Sequence, residues 1–503
     1  MIISPQFLSA LGTIALIAGA TSTSAQRIEF ASGEIVTAGD PVAVEVLDLP
    51  PEIEVEIRAE RVLKAYYERG YPVRRYQSAA TFRSDEEGRV DIAASEAIAG
   101  SYEGTDALGL FRSMRQVSDE PAEMDNRVTV SALIDAEVVA SNSFEMRYAA
   151  PSYSVEELPS LPGSYFAAPA SPGKHPVIIV IDGVDSHAQN RELLMPQLVA
   201  KGYAVVHFAT YEIIYGPREP SIAGMPTTYV DIPIDRLQQV RDWLLTRDEV
   251  DEDRMGLYGY SRNGAYVLLA ATKYDWVKAV AGISPSDVVW EGWGDRVKQG
   301  TTSSYSWKGE PLAYVPYSVN WNREVSKFGR GERGRLRTPM DEGRWANPNQ
   351  VAAARIPIEE FKGAVLVVGG ELDDLWSAGH QVQNVAERRA EAGLKTSLLV
   401  LPDAGNGITG TGTNPTLLFD GGEKRRIEAQ AQAKTWAAIL KFFEEALQSE
   451  RRSEKGGERG YPMRPRPRAA IGSDHRMTCA PITKIAAQET RYVGVRSAGI
   501  AAM

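Results

Sequence analysis

The chain has 503 residues, of which 43% are hydrophobic and 24% are charged, so it is long enough for roughly two to four globular domains. Its formal net charge of −11 argues against a nucleic-acid-binding protein, because such proteins carry a basic surface. One cysteine, Cys479, and five histidines that do not cluster in the sequence argue against an internal disulfide and a metal site, and no cofactor is expected.

Residues 1–25 have the pattern of a secretory signal peptide. The apolar run "ALGTIALIAGA" is followed by the small residues "STSA", which predicts cleavage after Ala25 and an exported protein, periplasmic or secreted. The alternative is an uncleaved membrane anchor, although the apolar run is short for a membrane span. No later stretch is long and apolar enough to cross a membrane, so no stable span is expected once the signal is removed.

Residues 26–155 contain short alternating runs of apolar and polar residues, each bounded by turn-forming residues. Such strands at regular spacing predict an immunoglobulin-like β-sandwich. The segment "EEGR", residues 86–89, is predicted to close a hairpin between its flanking strands. The runs are "PVAVEVLDL", "IEVEIRAE", "YQSAATFRS" and "RVTVSALID".

A Pro- and Ser-rich stretch near residues 150–176 is predicted to lead into an edge strand. Residues 156–447 then alternate apolar runs such as "PVIIVID" with amphipathic helical segments, which predicts a parallel sheet covered on both faces. Residues 287–356 lack a strand period and are predicted to form a cap over this sheet. The basic segment 448–503 is predicted to be a disordered tail.

The segment "GYSRNG", residues 259–264, lies between an apolar strand and a helix, where a nucleophile elbow presents a serine. Ser261 is the candidate nucleophile, and the backbone N–H of Arg262 is a candidate donor to an oxyanion. A second donor is expected from Gly183 and Val184 in the loop "GVDSHAQN". The alternative is an ordinary Gly-rich turn in which the serine caps the helix.

The acid of such a site follows the serine in the chain, and the histidine comes last. The strand "AVLVVGGELDDLW" ends in Asp373 and Asp374, one of which is also expected to cap the next helix. The loop "TSLLVLPDAGNGITG" follows the next strand, where the base is expected. Asn406 stands there instead of histidine.

These motifs belong to a wider resemblance. Over roughly residues 38–447 the sequence resembles the acyl-CoA thioesterase / bile acid-CoA:amino acid N-acyltransferase family. That resemblance implies an α/β-hydrolase domain preceded by an immunoglobulin-like β-sandwich. The matching stretches are "YQSAATFRSDEEGRVDIA", "GSYEGTDALGLFRSM", "VDEDRMGLYGYSRNGAYVLLAA", "SSYSWKGEPLAYVP" and "ARIPIEEFKGAVLVVGG".

The resemblance also implies site residues. Ser261 matches the nucleophile, and the spacing of Gly370, Asp373 and Trp376 matches the family's acid motif, which favours Asp373 over Asp374. The family's last motif is Gly-His, and it falls on Gly405 and Asn406. The Gly-rich oxyanion loop falls on "GVDSHAQN", and a glycine falls on Asn263, which is expected to disturb the turn.

An amide oxygen accepts a hydrogen bond but is not basic enough to hold a proton, so Asn406 predicts a weakened enzyme. Removing the histidine of such a triad costs on the order of 10⁶ in rate. His187 is a candidate substitute, whereas His207 is expected in the core and His380 at the surface. We therefore expect an impaired serine hydrolase of acyl thioesters or esters, with acyl-CoA implied by the resemblance.

Two other functions remain open from the sequence. The first is a non-catalytic protein that binds an acyl ligand with the same fold. The second is a secreted peptidase with an accessory β domain. Export is in tension with acyl-CoA as the substrate, because CoA esters are cytoplasmic metabolites.

Overall fold

A computed structural model describes residues 25–65, 71–150, 152–183, 190–214, 219–329, 334–414 and 422–448. The signal peptide predicted for residues 1–25, apart from its last residue, and the predicted tail beyond residue 448 lie outside the described residues. Within these ranges, no helix combines the length and apolarity that crossing a bilayer requires.

Residues 27–147 form a sandwich of two β-sheets. Its longest strands bury every second residue, as the alternating sequence predicts, and the buried side chains meet between the sheets in one apolar core. One sheet has the order β1-β3-β6, the other the order β2-β10-β9-β4-β5-β7, with β8 also paired to β5. The elements are β1 (Arg27–Phe30), β2 (Ile35–Thr37), β3 (Val44–Leu47), β4 (Glu54–Lys64), β5 (Val73–Arg83), β6 (Val90–Asp91), β7 (Ala99–Gly100), the short helix α1 (Gly109–Arg112), β8 (Arg115–Ser118), β9 (Arg127–Ile134) and β10 (Glu137–Arg147).

The "EEGR" segment forms a turn, but the predicted hairpin is wrong. The strand before it, β5, pairs with β4, whereas β6 after it pairs with β3 in the opposite sheet. The reason lies at Gly88, whose φ is +73° and whose backbone passes so close to Leu49 that an added Cβ would lie 2.0 Å from the Leu49 carbonyl oxygen. The Leu49 N–H also donates to the Gly88 oxygen at 2.9 Å, so the turn is held against the opposite sheet.

The C-terminal half is built on an eight-stranded sheet with the order β11-β12-β14-β13-β16-β17-β20-β21. All pairs from β14 to β21 are parallel, and β11 and β12 add an antiparallel edge. The stretch from 150 to 176 itself contains the edge strands β11 and β12 and leads into β13, which lies between β14 and β16, so the predicted position of the edge strand is wrong. The strands are β11 (Glu156–Glu157), β12 (Tyr165–Ala167), β13 (His175–Asp182), β14 (Ala204–Ala209), β16 (Val250–Tyr260), β17 (Val277–Ile283), β20 (Ala364–Gly370) and β21 (Ser397–Leu401).

Helices cover both faces of this sheet, and each face has its own apolar core. The central strands are buried on both sides, which explains their continuous apolar runs. The predicted fold class, an α/β-hydrolase domain after a β-sandwich, is confirmed. One face carries α3 (Leu237–Leu244), α4 (Arg262–Ala271) and α8 (Ala378–Glu391), and the other carries α2 (Met195–Ala200) and α9 (Gly422–Leu447).

Residues 287–356 leave the sheet after β17 and return at β20. Their aromatic and aliphatic side chains join the core that also contains α3 and α4, so this excursion lies on the same face as the helix after Ser261. A small sheet with the order β15-β18-β19 joins two strands of the excursion to β15 (Ile232–Pro233), which precedes α3 in the chain. The elements of the excursion are β18 (Tyr305–Trp307), β19 (Glu310–Pro311), α5 (Trp321–Gly329), α6 (Arg337–Ala346) and α7 (Pro348–Ala353).

Candidate active site

Ser261 lies at the junction between β16 and α4, in a backbone conformation that non-glycine residues rarely adopt. Its φ is 58° and its ψ is −123°. Two backbone hydrogen bonds hold it there: its N–H donates to the Ile283 oxygen at 2.7 Å, and its carbonyl accepts from the Gly264 N–H at 2.9 Å. The geometry is that of a nucleophile elbow, as the sequence predicts.

The glycines on either side of the serine are required by close packing. A Cβ on Gly259 would lie 2.1 Å from the Asn263 carbonyl oxygen, and a Cβ on Gly264 would lie 3.0 Å from the Cα of Pro285. The expectation that Asn263 disturbs the turn is wrong. The space between strand and helix is supplied by residues 259 and 264, while the Asn263 side chain is buried elsewhere and its Nδ2 donates to the Tyr211 hydroxyl at 3.4 Å.

The Ser261 side chain does not cap the helix. Ser261 occupies the N-cap position of α4, yet its hydroxyl makes no cap hydrogen bond. Among the described residues it has no hydrogen-bond partner at all, and it is half-buried. The structure therefore leaves this hydroxyl available to an external group rather than using it to start a helix.

The acid and the amide come together at the ends of β20 and β21. The Asp373 carboxyl is fully buried, and its Oδ2 accepts a hydrogen bond from Asn406 Nδ2 at 2.7 Å. Asp374 is half-buried, and its carbonyl oxygen accepts from the Arg337 N–H at 3.1 Å. The expected helix cap is wrong, because α8 begins only after Ser377, and Asp373 Oδ1 instead accepts from the Leu375 N–H at 2.9 Å.

Asn406 is bonded at both ends of its amide. Its Oδ1 accepts from the Tyr260 hydroxyl at 2.7 Å, while its Nδ2 faces Asp373. Asp373 Oδ2 accepts from the amide nitrogen and the Tyr260 phenol donates to the amide oxygen, so the two neighbours fix the orientation of the amide. The carbonyl end of Asn406 is thus directed at the residue preceding the nucleophile.

Among the described residues, no cation forms an ion pair with the buried Asp373 carboxyl. Burial raises its pKa to about 7, and the hydrogen bonds from Asn406 and from the Leu375 and Trp376 backbones offset only part of that rise. In a complete triad an imidazolium would balance the charge of this acid. A neutral amide cannot, so the carboxylate form is disfavoured at this site.

The predicted oxyanion donors have different outcomes. Arg262 is the first residue of α4, where a backbone N–H has no acceptor within the helix, as the prediction requires. The prediction for Gly183 is wrong, since its N–H donates to the carboxylate of its own neighbour, Asp182 Oδ1, at 2.8 Å. Val184 and His187 lie outside the described residues.

Of the three described histidines, two are bonded to other groups and one is exposed. His207 is fully buried in β14 with its Nε2 3.5 Å from Asp182 Oδ2, and His380 is exposed on α8, so both predictions are confirmed. His175 Nε2 lies 2.9 Å from the Ser171 oxygen. In the described ranges no group of three His, Cys, Asp or Glu side chains is arranged to hold a metal ion.

The side chain of Arg262 is a feature that the sequence analysis missed. Its guanidinium carbon lies 5.1 Å from the ring centres of Tyr229 and Trp293 and 5.7 Å from that of Trp376, and its Nη1 donates to the Tyr317 hydroxyl at 3.1 Å. We call these four aromatic residues the aromatic cage. The only sequence signal was a basic residue directly after the serine, because the cage comes from segments far apart in the chain.

Comparison with known families places both halves of the chain. Residues 39–158 match the model described as acyl-CoA thioester hydrolase/BAAT N-terminal region, and residues 232–449 match BAAT / acyl-CoA thioester hydrolase C terminal. Residues 163–292, which include the elbow, match the dienelactone hydrolase family. The matches occur in the order that the resemblance implies.

Curated relatives match along most of their length. Human mitochondrial acyl-coenzyme A thioesterase 2 is 24% identical over 434 residues, covering 81% of this chain and 82% of the relative. Human acyl-coenzyme A thioesterase 1 is also 24% identical, with 94% of its length covered. Rat acyl-coenzyme A amino acid N-acyltransferase 2 is 21% identical over 439 residues, covering 82% of this chain and 96% of the relative. With both domains matched in order, the chain belongs to the acyl-CoA thioesterase / bile acid-CoA:amino acid N-acyltransferase family.

Proposed function

We propose that the chain is a serine hydrolase that cleaves acyl thioesters or esters through an acyl-serine at Ser261, and that its turnover is slow. The observation that carries this proposal is the strained elbow at Ser261, with φ 58° and a hydroxyl that no described residue uses. Backbone strain of this kind persists only where the surrounding structure enforces it, which supports a functional role for the serine.

The slow turnover follows from the proton that must leave the serine. As Ser261 Oγ bonds to the acyl carbon, the bond from that carbon to the sulfur or oxygen of the leaving group breaks, and water later releases the acid. The serine proton needs an acceptor during attack. The Asn406 oxygen is not basic and already accepts from Tyr260 at 2.7 Å. Binding and backbone donors alone leave roughly 10³–10⁴ over the reaction in water.

The test compares the purified chain with Ser261→Ala, using acyl-CoA thioesters and p-nitrophenyl esters. We expect weak hydrolysis that disappears in the variant, and slow labelling of Ser261 by a fluorophosphonate probe. Hydrolysis that is unchanged in Ser261→Ala would refute the acyl-serine. Serine-dependent turnover at ordinary enzyme rates would refute the impaired site, because a working base would then have to reach Ser261.

A non-catalytic acyl-binding protein is the second candidate. It is favoured by the two hydrogen bonds of Asn406, which engage both ends of its amide without involving Ser261. Native mass spectrometry of the purified chain separates the two functions. An intact acyl ester or thioester retained without cleavage over hours supports binding alone, and its conversion to the free acid supports the hydrolase.

We also propose that the chain is exported, on the strength of the apolar run and small residues in residues 1–25. The measurement is the N-terminal sequence of the protein recovered from its native source. A mature start at Gln26 would favour acyl esters available outside the cytoplasm, whereas an intact Met1 would favour acyl-CoA as the substrate.

A further inference from the structure

Arg262 places a positive charge directly beside the candidate nucleophile. Arg262 follows Ser261 directly in the chain, and its guanidinium carbon lies 5.7 Å from the ring centre of Trp376, whose backbone N–H donates to the candidate acid Asp373 at 3.3 Å. The side chain is half-buried rather than extended into solvent. It packs among Tyr229, Trp293 and Trp376, which belong to three separate segments on the cap-bearing face of the sheet.

The charge of Arg262 has no carboxylate partner in the part of the chain that the structure describes. The aromatic rings stabilise a cation but do not neutralise it. Burial raises the pKa of Tyr229 and of Tyr317 above the ordinary value for a phenol, so both hydroxyls remain protonated and supply no negative charge. A partly desolvated charge without an opposite charge is costly, and an anionic ligand would complete the pair.

The guanidinium also keeps free donor capacity. Of its five N–H groups, one donates to the Tyr317 hydroxyl at 3.1 Å, and none of its nitrogens is both buried and without a partner within the described ranges. The remaining N–H groups therefore face accessible space. A planar fork of this kind matches a carboxylate, which can accept two parallel hydrogen bonds.

We propose that Arg262 selects acyl groups that carry a carboxylate a few carbons from the reacting carbonyl, that is, half-esters or half-thioesters of dicarboxylic acids. The inference rests on the proposed function, because it assumes that the acyl carbonyl lies at Ser261. Arg262 holds the remote carboxylate while the carbonyl meets the serine. The aromatic cage excludes water around this ion pair and so strengthens it.

The test is a binding measurement that needs no turnover. Glutaramate and adipamate carry an amide in place of the reacting ester or thioester, and a carboxylate at the far end. Pentanamide and hexanamide have the same chain lengths without the carboxylate and serve as their neutral counterparts. Calorimetry or ligand-observed NMR gives each Kd. We expect each acid to bind on the order of 10-fold to 100-fold tighter than its neutral counterpart, the range of a charge-assisted hydrogen bond.

Three variants test whether Arg262 causes the preference for the acid over the neutral amide. Arg262→Met should bring the ratio of the two Kd values close to one. Arg262→Lys should retain part of it, since it keeps the charge but not the fork. The control is Arg296→Met, which removes an arginine whose side chain is 84% exposed, and it should leave the ratio unchanged.

Equal binding of acid and neutral amide by the wild-type chain would overturn the proposal, as would a preference that survives in Arg262→Met. If Arg262→Met fails to fold, the wild-type ratio and its reduction in Arg262→Lys decide the question. Absence of hydrolysis together with a strong preference would reject the proposed turnover alone. Serine-dependent hydrolysis without a preference would reject this inference alone.

Discussion

The elbow at Ser261 and the acid–amide pair of Asp373 and Asn406 have kept different properties of an α/β-hydrolase site. At the elbow both the backbone conformation and the reactive side chain are present. At the pair a hydrogen bond of 2.7 Å joins the two side chains, and the amide of Asn406 offers no basic atom. The comparison teaches that the shape of such a site and its proton chemistry depend on separate residues.

The difference has a physical cause in how each part is held. The elbow depends on backbone packing between β16 and α4, where Gly259 and Gly264 admit no side chain. The acid–amide pair depends on satisfied hydrogen bonds, and Asn406 satisfies both neighbours, Tyr260 and Asp373, as well as a histidine would. An asparagine is therefore no structural defect here, and folding exerts no pressure to restore the base.

The largest effect is expected from restoring the base. In Asn406→His, one ring nitrogen donates to Asp373 and the other can accept from Ser261, so general-base catalysis becomes possible. We expect kcat/KM for aryl-ester hydrolysis to rise by about 10²-fold or more. Because the Tyr260 hydroxyl now donates at the position of the second nitrogen, the double variant with Tyr260→Phe should be more active still.

Two controls keep that result specific to the ring nitrogen. Asn406→Gln keeps an amide and should give no gain, and Ser261→Ala in the Asn406→His background should abolish the activity gained. If Asn406→His folds with the wild-type melting temperature and remains inactive, the pair is not the only departure from a working site. The lost donor at Gly183 would then be the next position to examine.

The stability and reactivity of the elbow should instead depend on the space left by the glycines beside Ser261. A Cβ at Gly259 would lie 2.1 Å from a backbone oxygen, so Gly259→Ala should cost about 3 kcal/mol of unfolding free energy and prevent labelling of Ser261. Gly224→Ala is the matched control, because its φ is +77° but nothing lies within 4 Å of the added Cβ. It should cost only about 1 kcal/mol. Equal losses in urea unfolding would show that steric contact at the elbow is unimportant.

The sequence predicted this site as far as local pattern determines local structure. Ser261, Asp373 and Asn406 each follow an apolar strand, and the carboxyl ends of parallel strands meet at one edge of a sheet, so their common location could be derived. The bond from Tyr260 to Asn406 could not, because it joins side chains 146 residues apart. The destination of the "EEGR" turn was missed for a similar reason, since it depends on the packing of Gly88 against Leu49, in the connection that follows β3.

The smallest effect concerns stability and isolates the charge of the acid. The pKa of Asp373 is about 7 in the folded chain, against about 3.9 for an unfolded aspartate, so the folded state binds the proton more tightly. The contribution of this group to the free energy of unfolding is fully present below about pH 4. It is lost as the pH rises through about 7, and it does not change further above that pH. Asp373→Asn removes the titration while keeping an oxygen that can accept from Asn406. Between pH 5 and pH 8 the wild-type chain should lose unfolding free energy that the variant keeps. The difference, variant minus wild type, should therefore rise by on the order of 2 kcal/mol.

Urea unfolding at the two pH values checks this, with Asp374→Asn as the control. Asp374 is half-buried and lies one residue away, so its replacement tests whether removing any carboxylate from this loop has the same effect. A pH-independent difference for Asp373→Asn would mean that Asp373 ionises with an ordinary pKa and that another group balances its charge.

The Asn406→His variant should give the complementary result. An imidazole beside Asp373 stabilises the carboxylate and lowers the pKa of Asp373, so it should remove most of the wild-type loss of stability above pH 5. A histidine that restored turnover without changing this profile would act through Ser261 alone, and the acid would then contribute only orientation.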